Sequence, residues 1–540
     1  MVQMPEARNL PEGYAKHQMN ENVRNVPPEL GCVKGNDPHH HCLSVHSYSN
    51  PPQPMDWPTP SMDIPTLIAL LAIGLLWFLH RYRTFYSKLP PGPWGLPLLG
   101  YLPFLKPRNT YLQLHEMGKR YGPIYSVQLG QLFAVVLCDA GLVKEAFSRE
   151  EFNYRADLYV THGIMDGCGI IVAEGELWKN QRKFVIRCLN DFGMVKIGPK
   201  RDLMERRIFV GVENLLSMIE ATSGTAVDPH HIFLHTVGNV INDFLFGRTW
   251  EENDEKWAWL LSLAEEGIKH VGVAGPVNFL PFLRFLPKYQ KVFKYLLDGK
   301  IATHEYYQQI IDEHDPNKTD DIIGAFLQEA KSNPELYTSK QLYHLLGDLF
   351  GASLDTSTIL MRWFLLIMAM EQDVQDTLRA EITSKSSGTR VTLDDITSMS
   401  YLAACINETH RYRTIVTLGI PHSNRVPTNI GGYLIPANTM VIPFLYSIHM
   451  NGEAHQEPHR FDPGRFLQDK LPAQFMPFQV GKRMCMGGEL ARMIATLFLS
   501  NLIKQYRVTY ESEEEILAAR QGEFGLTLQP GPHKLRFTRI

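Results

Sequence analysis

The 540-residue sequence predicts a mainly α-helical body with small β-sheets, preceded by one apolar anchoring segment. Three observations predict it. Apolar residues recur with helical period over long tracts, whereas the strand-like pieces are brief. No self-similarity appears at the periods that mark solenoids or propellers. One run, Ile64–Leu79 (IPTLIALLAIGLLWFL), carries no charge at all. The net charge of -4 gives no global reason to bind nucleic acid. Seven cysteines, at 32, 42, 138, 168, 188, 405 and 485, are odd in number and lack metal-finger spacing. They predict a reduced, cytosol-facing protein and not a disulfide scaffold.

Residues 1–61 are rich in Pro, Asn and His and nearly empty of apolar periodicity, which predicts a disordered extension. His39, His40 and His41 stand beside Cys42. A closed metal site needs ligands held in geometry, so a solvated tail is the better reading.

Residues 62–80 form the expected transmembrane anchor. Its 16 uncharged residues fall short of the roughly 20 that span a bilayer, and Met62, Trp77 and Tyr82 extend it into the interface. Asp56 and Asp63 precede it and Arg81, Arg83 and Lys88 follow, which puts the long C-terminal part in the cytosol. No small-residue cleavage site follows, so a removed signal peptide fits poorly. Residues 81–100 are a basic, proline-rich hinge. In LPPGPWGLPLLG, Pro90, Pro91, Pro93 and Pro97 remove amide donors and fix φ, making a stiff strut.

From residue 101 to 540 the chain reads as one body. Helical periodicity covers Ala140–Phe147, Gly175–Leu189, Arg201–Glu220, Ala302–His314 and Ser339–Met370. Strands are expected at Ile124–Leu129, Phe133–Cys138, Gly432–Ile435, Thr439–Pro443 and Lys534–Thr538. Ser339–Met370 is apolar enough to suggest a second span, but Asp348, Asp355 and Arg362 make a lipid location expensive.

The most informative segment is Phe478–Gly488, FQVGKRMCMGG, followed by a helix expected at Glu489–Ile503. A lone cysteine before a helix is by default inert and buried. That default explains neither the glycine spacing nor the arginine two residues upstream. Amides at a helix N-terminus would favour a thiolate over a thiol. The segment matches F-x-x-G-x-R-x-C-x-G at every fixed position and resembles the haem-binding signature of the cytochrome P450 superfamily.

The resemblance implies the P450 fold, with residues 101–540 as a haem-thiolate catalytic domain. It implies heme b whose iron is ligated by Cys485, cradled by Phe478, Gly481 and Gly487, with Arg483 on a haem propionate. Trp178 and Arg182 in ELWKNQRKF, and His422 in IPHSN, match further propionate contacts. Glu408 and Arg411 in NETHRYR lie on one helical face, and Arg465 comes twenty residues before Cys485. The family reading joins the three in a structural network, although Gly464 stands where the family usually has Glu.

Gly351-Ala-Ser-Leu-Asp355-Thr356 resembles the acid–alcohol pair that delivers protons to dioxygen, with Asp355 for the commoner Glu and Ser353 for the commoner Gly. Thr in mid-helix otherwise bonds back to a carbonyl one turn earlier. No dinucleotide fingerprint follows a strand, so any electrons must arrive from a partner; the resemblance implies that this is NADPH–cytochrome P450 reductase. Lys179, Lys183 and Lys482 are its candidate docking patch. The family also implies a single-pass location in the endoplasmic reticulum membrane.

Longer stretches, including YVTHGIMDGCGII (159–171), EEGIKHVGVAGPVNFLPFLRFLP (265–287) and IVTLGIPH (415–422), resemble the insect phantom-type ecdysteroid 25-hydroxylases. That likeness implies hydroxylation of a lipophilic steroid, ketodiol to ketotriol, in moulting-hormone synthesis. The candidate pocket residues are Met165, Val273, Ala352, Val416, Leu418 and Leu526, for each of which core packing competes. The rivals are ecdysteroid 26-hydroxylation, xenobiotic oxidation, a reductase-free isomerase and a non-enzymatic haem carrier.

Overall fold

The computed structural model describes residues 64–159, 165–271, 275–468 and 470–540. Expectations for residues 1–61, including the histidine run, and for Val273 fall outside these. The chain divides into two units, residues 1–73 and 74–540. The described part of the first, 64–73, is helical, and the helix Ile64–Tyr86 continues past the boundary. The expected hinge therefore begins helical, and its proline strut starts only after Tyr86. Ile64, Ile68 and Ile73 are exposed in the first unit, as are Leu76 and Trp77 in the second.

The core of the second unit is built on Ser339–Met370, whose limits are those the periodicity predicts. Thr338 caps it by accepting the Gln341 amide. It is long and apolar enough to cross a membrane, yet most of it is buried inside the protein. Asp348 and Arg362 are interior to the fold. Pro229–Phe246 packs along it and is buried on almost every side, with Asp228 as N-cap and Gly247 in the left-handed conformation as stop. Pro199–Ala221 and Gly488–Gln505 complete the helical layer.

One five-stranded sheet runs in the order β1-β2-β7-β4-β3. Here β1 is Ile124–Leu129, β2 Leu132–Leu137, β3 Tyr154–Arg155 and β4 His422–Ser423. β5 (Thr428–Ile430) and β6 (Tyr433–Ile435) form a separate hairpin turning through Gly431 and Gly432, both at positive φ. β7 is Met440–Pro443, and its parallel pairing with β2 joins segments about 300 residues apart, Ala134 opposite Met440. β3 has two residues only, and its register sets Arg155 opposite His422. β8 (Tyr506–Thr509) pairs with β11 (Arg536–Arg539), and β9 (Glu523–Phe524) with β10 (Leu528–Gln529). The five described cysteines are all free.

Candidate active site

Three elements converge on a cavity of about 310 Å³: Ser339–Met370, the 477–487 loop and the helix that begins at Gly488. That size lies within the range of small-molecule sites. Ala352, Ser353 and Thr356 form one wall, and Phe478, Cys485 and Leu490 another. Arg155, Arg182 and Arg483 also face it.

The loop conformation follows from its glycines. Gly481 has φ of +85°, and a Cβ there would stand 2.2 Å from the Phe147 carbonyl oxygen, so no other residue fits. The Met484 amide returns to the Gly481 carbonyl at 3.2 Å and the Cys485 amide to the Phe478 carbonyl at 2.9 Å. Burial pushes the Cys485 thiol up, while the Gly487 amide, Arg182, Arg492 and the Gly488 amide pull it back. Gly487 differs from Gly481: its φ is −88° and a Cβ would meet no protein atom within 4 Å. Its missing side chain leaves space on the cavity side.

The cations form an unbalanced group. The Arg483 guanidinium lies 4.2 Å over the Trp178 ring and donates to the carbonyls of Asn153, Ile171 and Ala173. Burial lowers its pKa to about 10. Burial, Arg483 and Arg182 all lower the pKa of Arg155, and only Glu174 opposes them. Arg155 is a cavity residue that sequence reasoning missed, brought there by the two-residue β3. His422 is not among the lining side chains. It lies behind Arg155, stacked on Phe147 at 3.7 Å, with Nδ1 donating to the Phe152 carbonyl at 2.7 Å and a buried, unpartnered Nε2.

Asp355 and Thr356 diverge, as neighbours about 100° apart on a helix must. The Thr356 hydroxyl faces the cavity and donates to the Ala352 carbonyl at 2.8 Å. Asp355 lines a second cavity of about 200 Å³ with His230, Glu265, Leu526 and Thr527. Thr527 donates to its Oδ2 at 3.0 Å, and burial pushes the carboxyl up to about 6. The expected pair therefore shares a backbone junction but no common chamber.

Asp348, read in sequence only as a charge that excludes lipid, belongs to the main cavity. Its Oδ2 accepts the Ile170 and Ile171 amides at 2.7 and 2.9 Å, and burial pushes the carboxyl up to about 6. Gln341 holds both the amide and the carbonyl of Gly169. The two side chains thus tie residues 169–171 over the cavity.

Of the candidate pocket residues, Ala352 and Val416 line the cavity. Leu526 lines the second cavity instead, because the β9–β10 hairpin packs on the Asp355 side of the helix. Leu418 is turned into the core where the Gly419 amide closes back on the Val416 carbonyl. Met165 borders neither cavity and lies before the segment held by Gln341. Ile241, Phe244 and Leu245 of Pro229–Phe246 line it and were not foreseen.

Away from the cavity, Arg411 donates to both oxygens of Glu408 at 2.7 and 2.8 Å, and Arg465 Nε lies 3.4 Å from Glu408 Oε1. Lys179 pairs with Glu176 and Lys482 with Glu150, so two of the three docking lysines carry acidic neighbours.

The geometry suits a flat, dianionic, thiolate-ligated cofactor: three guanidiniums facing the cavity, a glycine opening onto it and one sulfur in its wall. The family model described as Cytochrome P450 matches residues 90–537. The chain belongs to the cytochrome P450 family. This P450 is 38% identical to cytochrome P450 306a1 of Drosophila melanogaster, over 89% of its own length and 94% of that protein's. It is 31% identical to cytochrome P450 18a1 of the same organism, covering 88% and 90%. Human cytochrome P450 2J2 is 30% identical, covering 85% and 92%. As a family member it is a haem-dependent monooxygenase that needs a redox partner, dioxygen and a lipophilic substrate.

Proposed function

We propose that this P450 hydroxylates the side chain of an ecdysteroid precursor at carbon 25, ketodiol to ketotriol, with electrons from NADPH–cytochrome P450 reductase. Its haem would be held by Cys485, with Arg155, Arg182 and Arg483 on the propionates and Trp178 packed beneath Arg483. When bound, the haem supplies dioxygen activation, which the thiolate promotes by electron donation. The chain's own residues do the rest. Ala352, Val416, Phe244 and Leu245 exclude water and give a lipophilic substrate apolar walls. Asp348 and Gln341 hold residues 169–171 as a cover. Thr356 carries a proton at Oγ1 on the cavity side, and Asp355 holds one on the other side of the same helix turn.

The single observation that carries this reading is the sulfur of Cys485 in the same cavity as Ala352, Ser353 and Thr356. The steroid assignment rests on the likeness of residues 159–171, 265–287 and 415–422 to the phantom-type enzymes. Residues 62–80 are proposed as a single-pass anchor in the endoplasmic reticulum, supported by the exposed apolar side chains of Ile64–Tyr86. Incubation with reductase, NADPH and ketodiol, followed by mass spectrometry, tests the reading. A carbon-25 alcohol is the expected product. A carbon-26 alcohol would favour the 26-hydroxylase reading, and no steroid product would leave only the family chemistry.

A further inference from the structure

Arg413, which caps the C-terminus of the Ser400–Tyr412 helix, sits between two aromatic rings. Its guanidinium lies 4.6 Å from the centroid of Trp363 and 4.6 Å from that of Tyr412. Rings satisfy the faces of a guanidinium, but its N–H groups lie in the plane and point past them. Arg413 makes no hydrogen bond or ion pair with another described residue, and its Nε is buried. These donors border a cavity of about 10 Å³, lined also by Glu371, Phe461 and Arg520. Arg520 brings a second cation there and donates to the Tyr412 hydroxyl at 2.7 Å. Burial and Arg520 lower the pKa of Arg413, and the groups that oppose them are the phenols of Tyr412, Tyr111 and Tyr446, with no carboxylate among them. Glu371 is exposed and pairs with neither arginine. Burying an unpaired charge is costly, and ring contacts offset only part of that cost. A cavity of this size takes one water-sized particle. A water would leave two like charges side by side, whereas an anion cancels them.

We propose that Arg413 and Arg520 hold one small inorganic anion, chloride in a chloride medium, in this cavity. The site reaches the main cavity through two hydrogen bonds. The Trp363 indole that stacks on Arg413 donates to the Leu528 carbonyl at 2.8 Å, and the Leu528 amide donates to the Ile415 carbonyl at 2.7 Å. Ile415 lines the main cavity beside Val416. An anion on Arg413 therefore braces the wall against which a substrate would pack. The proposal is independent of the ecdysteroid reading, and neither fails with the other.

The test uses the full haem-loaded chain in wild type, Arg413→Gln and Arg520→Gln, with chloride exchanged for gluconate, an anion too large for the cavity. Constant ionic strength keeps general screening the same throughout. An anion that binds only the folded state stabilises it, so the thermal unfolding midpoint of wild type should rise with chloride, by equal steps per tenfold increase once the site is filling. Arg413→Gln should abolish that rise and Arg520→Gln should reduce it. A midpoint indifferent to chloride in wild type, or rising equally in all three proteins, would overturn the proposal. Diffraction from wild-type crystals soaked in bromide needs no variant to fold. An anomalous peak beside the Arg413 guanidinium is expected, and a water there with no bromide signal would overturn the site.

Discussion

Glu408 and Arg411, three residues apart on Ser400–Tyr412, are joined by two hydrogen bonds of 2.7 and 2.8 Å with neither side chain exposed. The same guanidinium donates to the carbonyls of His449, Pro458 and Arg460, and Glu408 Oε1 accepts the Asp462 amide. One ion pair therefore fastens the irregular segment that leads to the thiolate loop. Removing Glu408 strands a buried arginine. Glu408→Ala should cost about 3–5 kcal/mol in chemical denaturation, with lower haem content. Arg465→Ala should cost less, because Arg465 lies 3.4 Å from Glu408 and otherwise donates one 3.0 Å hydrogen bond to the Glu457 carbonyl, and Glu408 keeps both bonds to Arg411 without it.

The two glycines of the loop make separable predictions. Gly481→Ala forces a side chain into a left-handed backbone and against the Phe147 carbonyl, so it should destabilise the apoprotein by about 2 kcal/mol or more. Gly487→Ala should leave apoprotein stability nearly unchanged and reduce haem uptake, since only the cavity side is crowded. Denaturation of the haem-free protein, set beside haem titration, distinguishes them.

Thr356 and Asp355 should fail differently. Thr356→Ala removes a hydroxyl from the main cavity and should divert reducing equivalents to peroxide. Asp355→Asn removes a carboxyl from the neighbouring cavity and should slow product formation by about 10²-fold, the lower end of general acid–base contributions. Product, peroxide and NADPH counted in the same incubations check both. Identical profiles in the two variants would contradict their separate placement.

Asp348 predicts a pH dependence of stability. Burial raises its folded pKa from 3.8 to about 6, so the folded state holds the proton more tightly than the unfolded chain. That contribution favours folding at acid pH and is lost as pH rises from about 4 through 6. At most about 3 kcal/mol is involved, at 1.36 kcal/mol per pKa unit. Asp348→Asn should remove about half of this part of the denaturation profile, because Asp355, also raised from 3.8 to about 6, remains as a second slope of similar size.

Much of this was legible where the determinants are local. The limits of Ser339–Met370 and of β1 follow from periodicity and capping, and the loop at Cys485 declares itself through glycine spacing. Pro229–Phe246 escaped because a helix buried all round has no polar face to mark its period. Arg155 escaped because its place depends on pairing with His422, which no local pattern encodes. Asp355 was recognised by its neighbour Thr356, but the direction of its side chain depends on Thr527, far along the chain. Leu418 and Leu526 show the same limit: residues from a cavity-forming segment were foreseen, but not which of them face inward.

The central claim is that Cys485 supplies the thiolate, and the most direct measurement is the absorbance of the reduced, carbon monoxide-bound full-length protein beside its Cys485→Ala variant. Wild type should show the band of a thiolate-ligated haem, and the variant should lose both the band and most of its haem. A variant that keeps the band at wild-type intensity would contradict the account.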